Sequence, residues 1–319
     1  MADAEGGLVS IIIPCYNAED YVGEAIDSAL AQTYEPTEII VIDDGSQDDS
    51  MDIIQSYQDR ITWRQQENQG ASVARNHGLK VASGQYVKFL DADDALYPEA
   101  VEKQVAQLRG IEDDRSIVFG DGRMTDAKLN VEDTTDYRAR RKGEDPIAYI
   151  LRVTPQTSAP LHRRSLLEEV DGFDEQLPKA QEYDLHLRLA LVEVNFRYRS
   201  TPVVMIRRHS GEHRISNQIY LQDGITRGKK RIRRIKEAGK LSEPVRRIIG
   251  RNAWQAGRLA LQLGHPNLAE KKFALARELH SDSVTGASRA YRWCVRLFGP
   301  RIAERIGAWR RALLDELSR

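Results

Sequence analysis

Cysteine is nearly missing: Cys15 and Cys294 are the only two in 319 residues. Two thiols cannot build a disulfide framework or a cysteine-based zinc site, and such scarcity suits a reducing cytoplasm. Long apolar runs are missing too. No stretch approaches the roughly 18–20 residues that span a bilayer. Met1 to Gly7 carries Asp3 and Glu5 and lacks the basic and apolar regions of a signal peptide. The glycine-rich dinucleotide fingerprint is absent after the first strand-like run, which argues against a nicotinamide cofactor.

Net charge is also small, −1 overall, but it is unevenly spread. From Gly228 to Arg319 there are 22 Lys and Arg against 8 Asp and Glu, a net of +14; the rest of the chain carries −15. Two regions with different partners, or two halves that neutralise each other, both account for this. With 41% apolar residues, the length suits one large α/β domain plus a smaller appendage.

What is present begins with a β-branched run, Val9-Ser10-Ile11-Ile12-Ile13, stopped by Pro14. It predicts a buried strand. Asn17 and Asp20 read as a helix cap, followed by Val22, Ile26, Ala29 and Leu30 on one helical face. A second apolar run, Glu38 to Ile42, ends in Asp43-Asp44-Gly45-Ser46, with Ser46 and Asp49 again spaced as a cap. Ile61 to Gln65 predicts a short strand and Ala71 to Ala82 a helix interrupted by Gly78. Tyr86 to Leu90 then runs into Asp91-Ala92-Asp93-Asp94. Asp is depleted in strands and neighbouring carboxylates repel, so three at a strand end need a reason. A solvated acidic turn is one; a divalent cation, Mn²⁺ or Mg²⁺, is the other.

Strand and helix thus alternate through the first 95 residues, which predicts a mostly parallel sheet with helices on both faces. Ligands bind such sheets beyond the carboxyl ends of the strands. Pro14 to Asn17, Asp43-Asp44 and Asp91 to Asp94 all fall at those ends. Further on, Ala100 to Leu108 and Gln181 to Leu191 read as helices, Asp121 to Gly143 as a polar loop over the site, and Val203 to Ile206 as a strand. Beyond Tyr220 the helical period dominates: a basic helix from Gly228, and a hairpin of Ala253 to Leu263 with Leu268 to Leu279. Tyr291 to Leu317 alternates apolar residues with arginine. That pattern suits a helix lying on an anionic membrane surface, and equally one docked on its own protein.

Ser10-Ile11-Ile12-Ile13-Pro14-Cys15-Tyr16-Asn17 and Ile40-Val41-Ile42-Asp43-Asp44-Gly45-Ser46 resemble the opening of family-2 glycosyltransferases of the GT-A fold. So do Asn68-Gln69-Gly70, Ala74-Arg75-Asn76 and Leu90-Asp91-Ala92-Asp93-Asp94. The resemblance is dense over residues 8–97, and weaker through Gly172-Phe173-Asp174, Gln181 to Leu189 and His209. It covers roughly two-thirds of the chain. It implies a GT-A domain at 1–220 and an inverting transfer of sugar from a nucleoside-diphosphate donor; charge and helical period mark 221–319 as a separate basic helical region. UDP or dTDP is favoured as the nucleotide, and the acceptor would be a saccharide or lipid-linked, as in bacterial surface polysaccharide or glycoconjugate synthesis. Nucleic acid is not an expected partner; peripheral membrane contact is one of the open readings of the basic helices.

By the same resemblance, Pro14, Tyr16, Asn17, Asp44, Arg75, Asp91 and Ala92 would hold the nucleotide. Asp93, then Asp94, with His209, would hold Mn²⁺ or Mg²⁺. Glu182 would be the general base, standing where the family carries Asp, with Gln181 in place of the first acid of that pair. His186 occupies a usual aromatic position and reads as packing. Asp184 and Arg188 read as a surface pair, His213 as a weak zinc candidate, and Cys15 as a small core residue. Two other readings stand beside this one: a phosphohydrolase with Asp91 as nucleophile, and a nucleotide-binding module without turnover.

Overall fold

The β-branched run after Leu8 forms strand β1 (Val9–Cys15), buried at every position. Strand and helix then alternate through α1 (Val22–Leu30), β2 (Thr37–Asp43), α2 (Ser50–Ser56), β3 (Thr62–Gln65), α3 (Ala71–Val81) and β4 (Tyr86–Phe89). The computed structural model describes residues 7–208, 223–280 and 289–317, which fall in two units, Met1–Gln218 and Ile219–Arg319. Strands β3, β2, β1 and β4 lie side by side and parallel. Cys15 stands opposite Asp43 and Ile12 opposite Phe89. Strands β1, β2 and β4 therefore end at one edge of the sheet. Gly78 has a packing reason: a Cβ there would stand 2.3 Å from Ile12 Cγ2, so α3 can cross β1 only because that position has no side chain.

Beyond β4 the sheet becomes mixed. After β5 (Ala95–Leu96) and α4 (Ala100–Arg109), strands β6 (Ser116–Thr125) and β7 (Val131–Thr134) form an antiparallel pair. The stretch from Asp121 to Gly143, expected as loop, is therefore partly strand. Pairing on both sides supplies what its polar sequence lacks: β6 is flanked there by β7 and by β9 (Asn195–Arg207), and buried Asp121 accepts a hydrogen bond from Tyr198 Oη at 2.7 Å. Between them come α5 (Pro146–Val153), β8 (Pro160–Arg163), α6 (Arg164–Glu169) and α7 (Gln181–Leu191). Strand β8 runs antiparallel to both β4 and β6, giving the order β3-β2-β1-β4-β8-β6-β9-β5.

The second unit is helical: α8 (Asp223–Glu237), α9 (Glu243–Gln262), α10 (Pro266–Leu279) and α11 (Arg289–Leu317). Trp254 of α9 packs on Phe273 of α10, ring centroids 4.6 Å apart. Glu304 of α11, 6% exposed, receives Arg258 of α9 and the hydroxyl of Tyr291. Gly299 (φ 78) breaks α11 just before Pro300. Among the described residues, no helix is long and apolar enough to cross a membrane.

Candidate active site

The loops after β1 and β2 are laced together. Asn17 does not cap α1, which starts five positions later with Tyr21 at its N-cap and no side-chain cap bond. Held at φ 48, Asn17 instead donates its N–H to Ser46 Oγ (3.0 Å), and its Oδ1 accepts from the Gln47 N–H (2.8 Å). Asp48 accepts from the Glu19 N–H at 3.1 Å while Glu19 accepts from the Asp49 N–H at 2.8 Å. Ser46 is likewise used by Asn17 rather than by α2, which begins at Ser50. Pro14 lies buried in β1, and Tyr16, just past its end, is 37% exposed. Cys15 is 1% exposed, and burial pushes its thiol up to about 12, the state of an inert core residue.

Asp44, 2% exposed, organises the next loop. Its Oδ1 accepts from the Gln69 N–H (2.9 Å) and Gln66 Nε2 (2.8 Å), and its Oδ2 from the Gly70 N–H (2.7 Å). Of the roughly four lone-pair positions of a carboxylate, three are filled and one remains. Asp43 receives Gln65 Nε2 at 3.1 Å and the Ser46 N–H at 3.2 Å.

The acidic run after β4 sits in a dense net of donors. Arg75, 5% exposed, reaches up from α3. It donates to Asp91 Oδ1 at 2.6 Å and to Gln181 Oε1 at 2.7 Å, and its guanidinium lies 5.3 Å from the Phe173 ring centroid. Ala92 is buried and Asp93 half-buried. Asp94 is 2% exposed; its Oδ1 accepts from the Arg207 N–H at 3.0 Å, and its Oδ2 from Gln156 Nε2 (3.3 Å) and Ser158 Oγ (3.4 Å). Burial, then the charges of Asp93 and Asp91, raise the Asp94 carboxyl well above the carboxylate range. Three carboxylates crowded so that one resists ionisation suit a divalent cation, whose charge relieves that strain. Among the described residues no three His, Cys, Asp or Glu side chains form a metal cage by themselves. Mg²⁺-type sites do not need one, because substrate phosphates complete their coordination.

Three residues of this net were not legible as site residues. Gln156 and Ser158 come from the turn-rich piece between α5 and β8. Arg207 ends β9 and is 2% exposed; it donates to the Asp93 carbonyl at 2.9 Å, and to the Ala127 carbonyl and Glu24. Their signal was only a polar turn and an arginine pair at a strand end. His209 and His213 lie outside the described residues.

Helix α7 presents Gln181 and Glu182 in its first turn. Glu182 is half-buried, and its charge helps raise Tyr137, whose hydroxyl burial first pushes up to about 12. That hydroxyl accepts from the Gln156 N–H at 2.8 Å, in the loop whose Gln156 side chain reaches Asp94. The helix is tied down further along. Asp184 and Arg188, expected as a surface pair, are buried, with side chains 6% and 15% exposed and 2.7 Å apart. Arg188 also donates to the Gly172 carbonyl at 2.7 Å, drawing the preceding turn over the pair. Gly172 (φ 60) sits where a Cβ would meet Asn76 Oδ1 at 2.4 Å. Without one, Asn76 accepts from the Phe173 N–H (2.8 Å) and donates to the Phe173 carbonyl (2.9 Å), joining α3 to the approach of α7.

Behind the site lies a buried basic cluster. His186 of α7, 1% exposed, stacks on His162 of β8 with centroids 5.9 Å apart, and Phe196 meets it edge-on at 5.4 Å. Lys88 donates to Gln104 Oε1 at 2.8 Å and to the Ala159 carbonyl at 3.2 Å. Burial lowers Lys88 to about 7 and His186 to about 3. It also holds His162 well below its usual value.

A parallel sheet that turns mixed past its fourth strand, with an acidic run at that strand's end, defines the GT-A architecture. Residues 10–170 match the model of Glycosyl transferase family 2, and the chain belongs to that family. An uncharacterized glycosyltransferase of Rickettsia felis is 36% identical over 224 residues, 66% of this chain but 36% of that protein. The uncharacterized glycosyltransferase YibD of Escherichia coli is 43% identical over 112 residues, 34% of this chain and 32% of that one. This chain thus spans about a third of the length of either relative. Among solved structures, S. aureus TarS 1-349 in complex with UDP-GlcNAc superposes with a TM-score of 0.62 at 20% identity, covering 88% of this chain and 93% of that one. The same segment of TarS with UDP gives 0.54 at 17%. At such identity the match carries the fold alone.

Proposed function

We propose that this chain is an inverting glycosyltransferase that moves a sugar from a nucleoside diphosphate to a saccharide or lipid-linked acceptor. The observation that carries the reading is the Arg75 bridge, at 2.6 Å to Asp91 and 2.7 Å to Gln181. It links the strand-end acids to the residue beside Glu182, so donor-binding and proton-accepting groups form one rigid unit. Family membership favours this over the phosphohydrolase reading, and Asp91, pinned by Arg75, is a poor nucleophile.

In this reading Pro14, Tyr16 and Asn17 border the base and ribose. The one open lone pair of Asp44 accepts a base N–H, which suits uridine or thymidine. Asp91 and the Ala92 backbone face the ribose, with Arg75 fixing the Asp91 carboxylate. Asp93 is the first ligand for Mn²⁺ or Mg²⁺, and Asp94 and His209 are the further candidates. When bound, the cation offsets charge gathering on the diphosphate as it leaves. Glu182 takes the proton from the acceptor hydroxyl. Attack opposite the leaving group inverts the anomeric carbon. A UDP-GlcNAc complex of TarS supports a UDP sugar as the first donor to try, and a role in bacterial surface glycoconjugates fits the lipid-linked acceptor.

Titration calorimetry tests the core of it. UDP or dTDP binds only with Mn²⁺ or Mg²⁺, and Asp93→Ala abolishes that binding. Metal-dependent binding that survives the substitution removes Asp93 from the site.

A further inference from the structure

The described residues of the first unit expose only two large apolar side chains, Tyr16 and Val131. Those of the helical unit expose seven, and six of these fall in pairs four residues apart: Leu259 and Leu263, Trp293 and Leu297, Ile302 and Ile306. Pairs at that spacing lie on one helix face. In α11 buried and exposed positions alternate. One face docks on its own unit: Ala303 is 2% exposed, Glu304 receives Arg258, and Tyr291 and Val295 pack against the Trp254–Phe273 core. Away from those contacts, Trp293 68%, Leu297 54%, Phe298 56%, Ile302 47% and Ile306 45% stay exposed along the helix. The break at Gly299 divides this stripe into two short segments. Along Arg289–Leu317 run seven arginines and three acids.

We propose that α11 is a docking surface for an anionic lipid bilayer. Trp293, Leu297, Phe298, Ile302 and Ile306 enter the boundary between headgroups and acyl chains, and the net positive charge of Arg289–Leu317 draws the segment to anionic lipid. The two features together select this partner. A soluble polyanion would pair with the arginines and leave the apolar stripe in water. A second copy of the chain would cover the stripe but bring two arginine-rich helices together. The inference rests on the helical unit and stands apart from the catalytic reading.

Vesicle co-sedimentation of the full chain tests it, using phosphatidylcholine alone and phosphatidylcholine mixed with phosphatidylglycerol. The chain sediments with the mixed vesicles only, and less so as salt rises. The double variant Trp293→Ser/Phe298→Ser binds them at least about tenfold more weakly, with circular dichroism and UDP binding unchanged. Equal sedimentation of the variant overturns the proposal, as does failure of the wild type to bind. So does a concentration-dependent dimer that the variant loses while neither protein binds vesicles. Loss of UDP binding in the wild type would strike the catalytic reading and leave this one intact.

Discussion

Replacing His186 by Phe should make the protein resist acid better. In the folded chain His186 is 1% exposed and stacked on His162, and its Nδ1 finds no hydrogen-bond partner among the described residues. Folding lowers its pKa from 6.5 to about 3. Between those values the unfolded chain holds a proton that the folded chain refuses, so stability falls as pH drops below about 6.5 and stops falling near 3. At pH 7.5 this term is about 0.1 kcal/mol; at pH 5 it reaches about 2 kcal/mol, from RT ln(1 + 10^1.5). The aromatic replacement keeps a ring against Phe196 and has no proton to take up. Any packing cost of the larger ring is the same at both pH values and cancels. Urea unfolding by far-UV circular dichroism at pH 7.5 and pH 5.0 gives the comparison: the variant loses about 2 kcal/mol less than the wild type. Equal losses in the two proteins would show that His186 is protonated or hydrated in the folded state, and the argument from burial would fail.

The remaining expectations are shorter. Glu182→Gln should reduce turnover by a factor of about 100 or more while leaving nucleotide affinity unchanged; turnover at the wild-type rate takes the base away from that position. Gly172→Ala and Asn76→Ala should each cost about 2 kcal/mol in chemical denaturation, and the double variant should cost little more than either alone, because both break the same amide pairing. Arg75→Met leaves Asp91 and Gln181 without their shared donor. It should lower the melting temperature and weaken metal-dependent UDP binding together, whereas a loss of stability with full affinity would reduce Arg75 to a scaffold role.

The parallel half of the sheet was legible because its strands are short β-branched runs broken by acids and glycines. The dense motifs from Ser10 to Asp94 marked one sheet edge for the same reason. Beyond that, pattern failed where tertiary pairing supplies what local sequence lacks. Strand β6 continues through Asp121 because β7 and β9 flank it. The Asp184–Arg188 spacing looks the same on a surface and in a core; only the Gly172 carbonyl and the turn above it decide which. Asn17 and Ser46 had the composition of caps, yet they join two loops that are adjacent only because β1 and β2 are paired. Gln156, Ser158 and Arg207 reach the acidic run from segments 62 to 114 positions away, a distance no local motif spans.

If Asp44 meets the base as proposed, its place in the fold bears on any attempt to alter donor choice. Two of its hydrogen bonds hold the backbone between β3 and α3 and a third takes the Gln66 side chain, so a substitution there would unfasten the loop before it changed a preference. Redesign would do better to leave Gln66, Gln69 and Gly70 in place and keep the carboxylate as the peg on which that loop hangs.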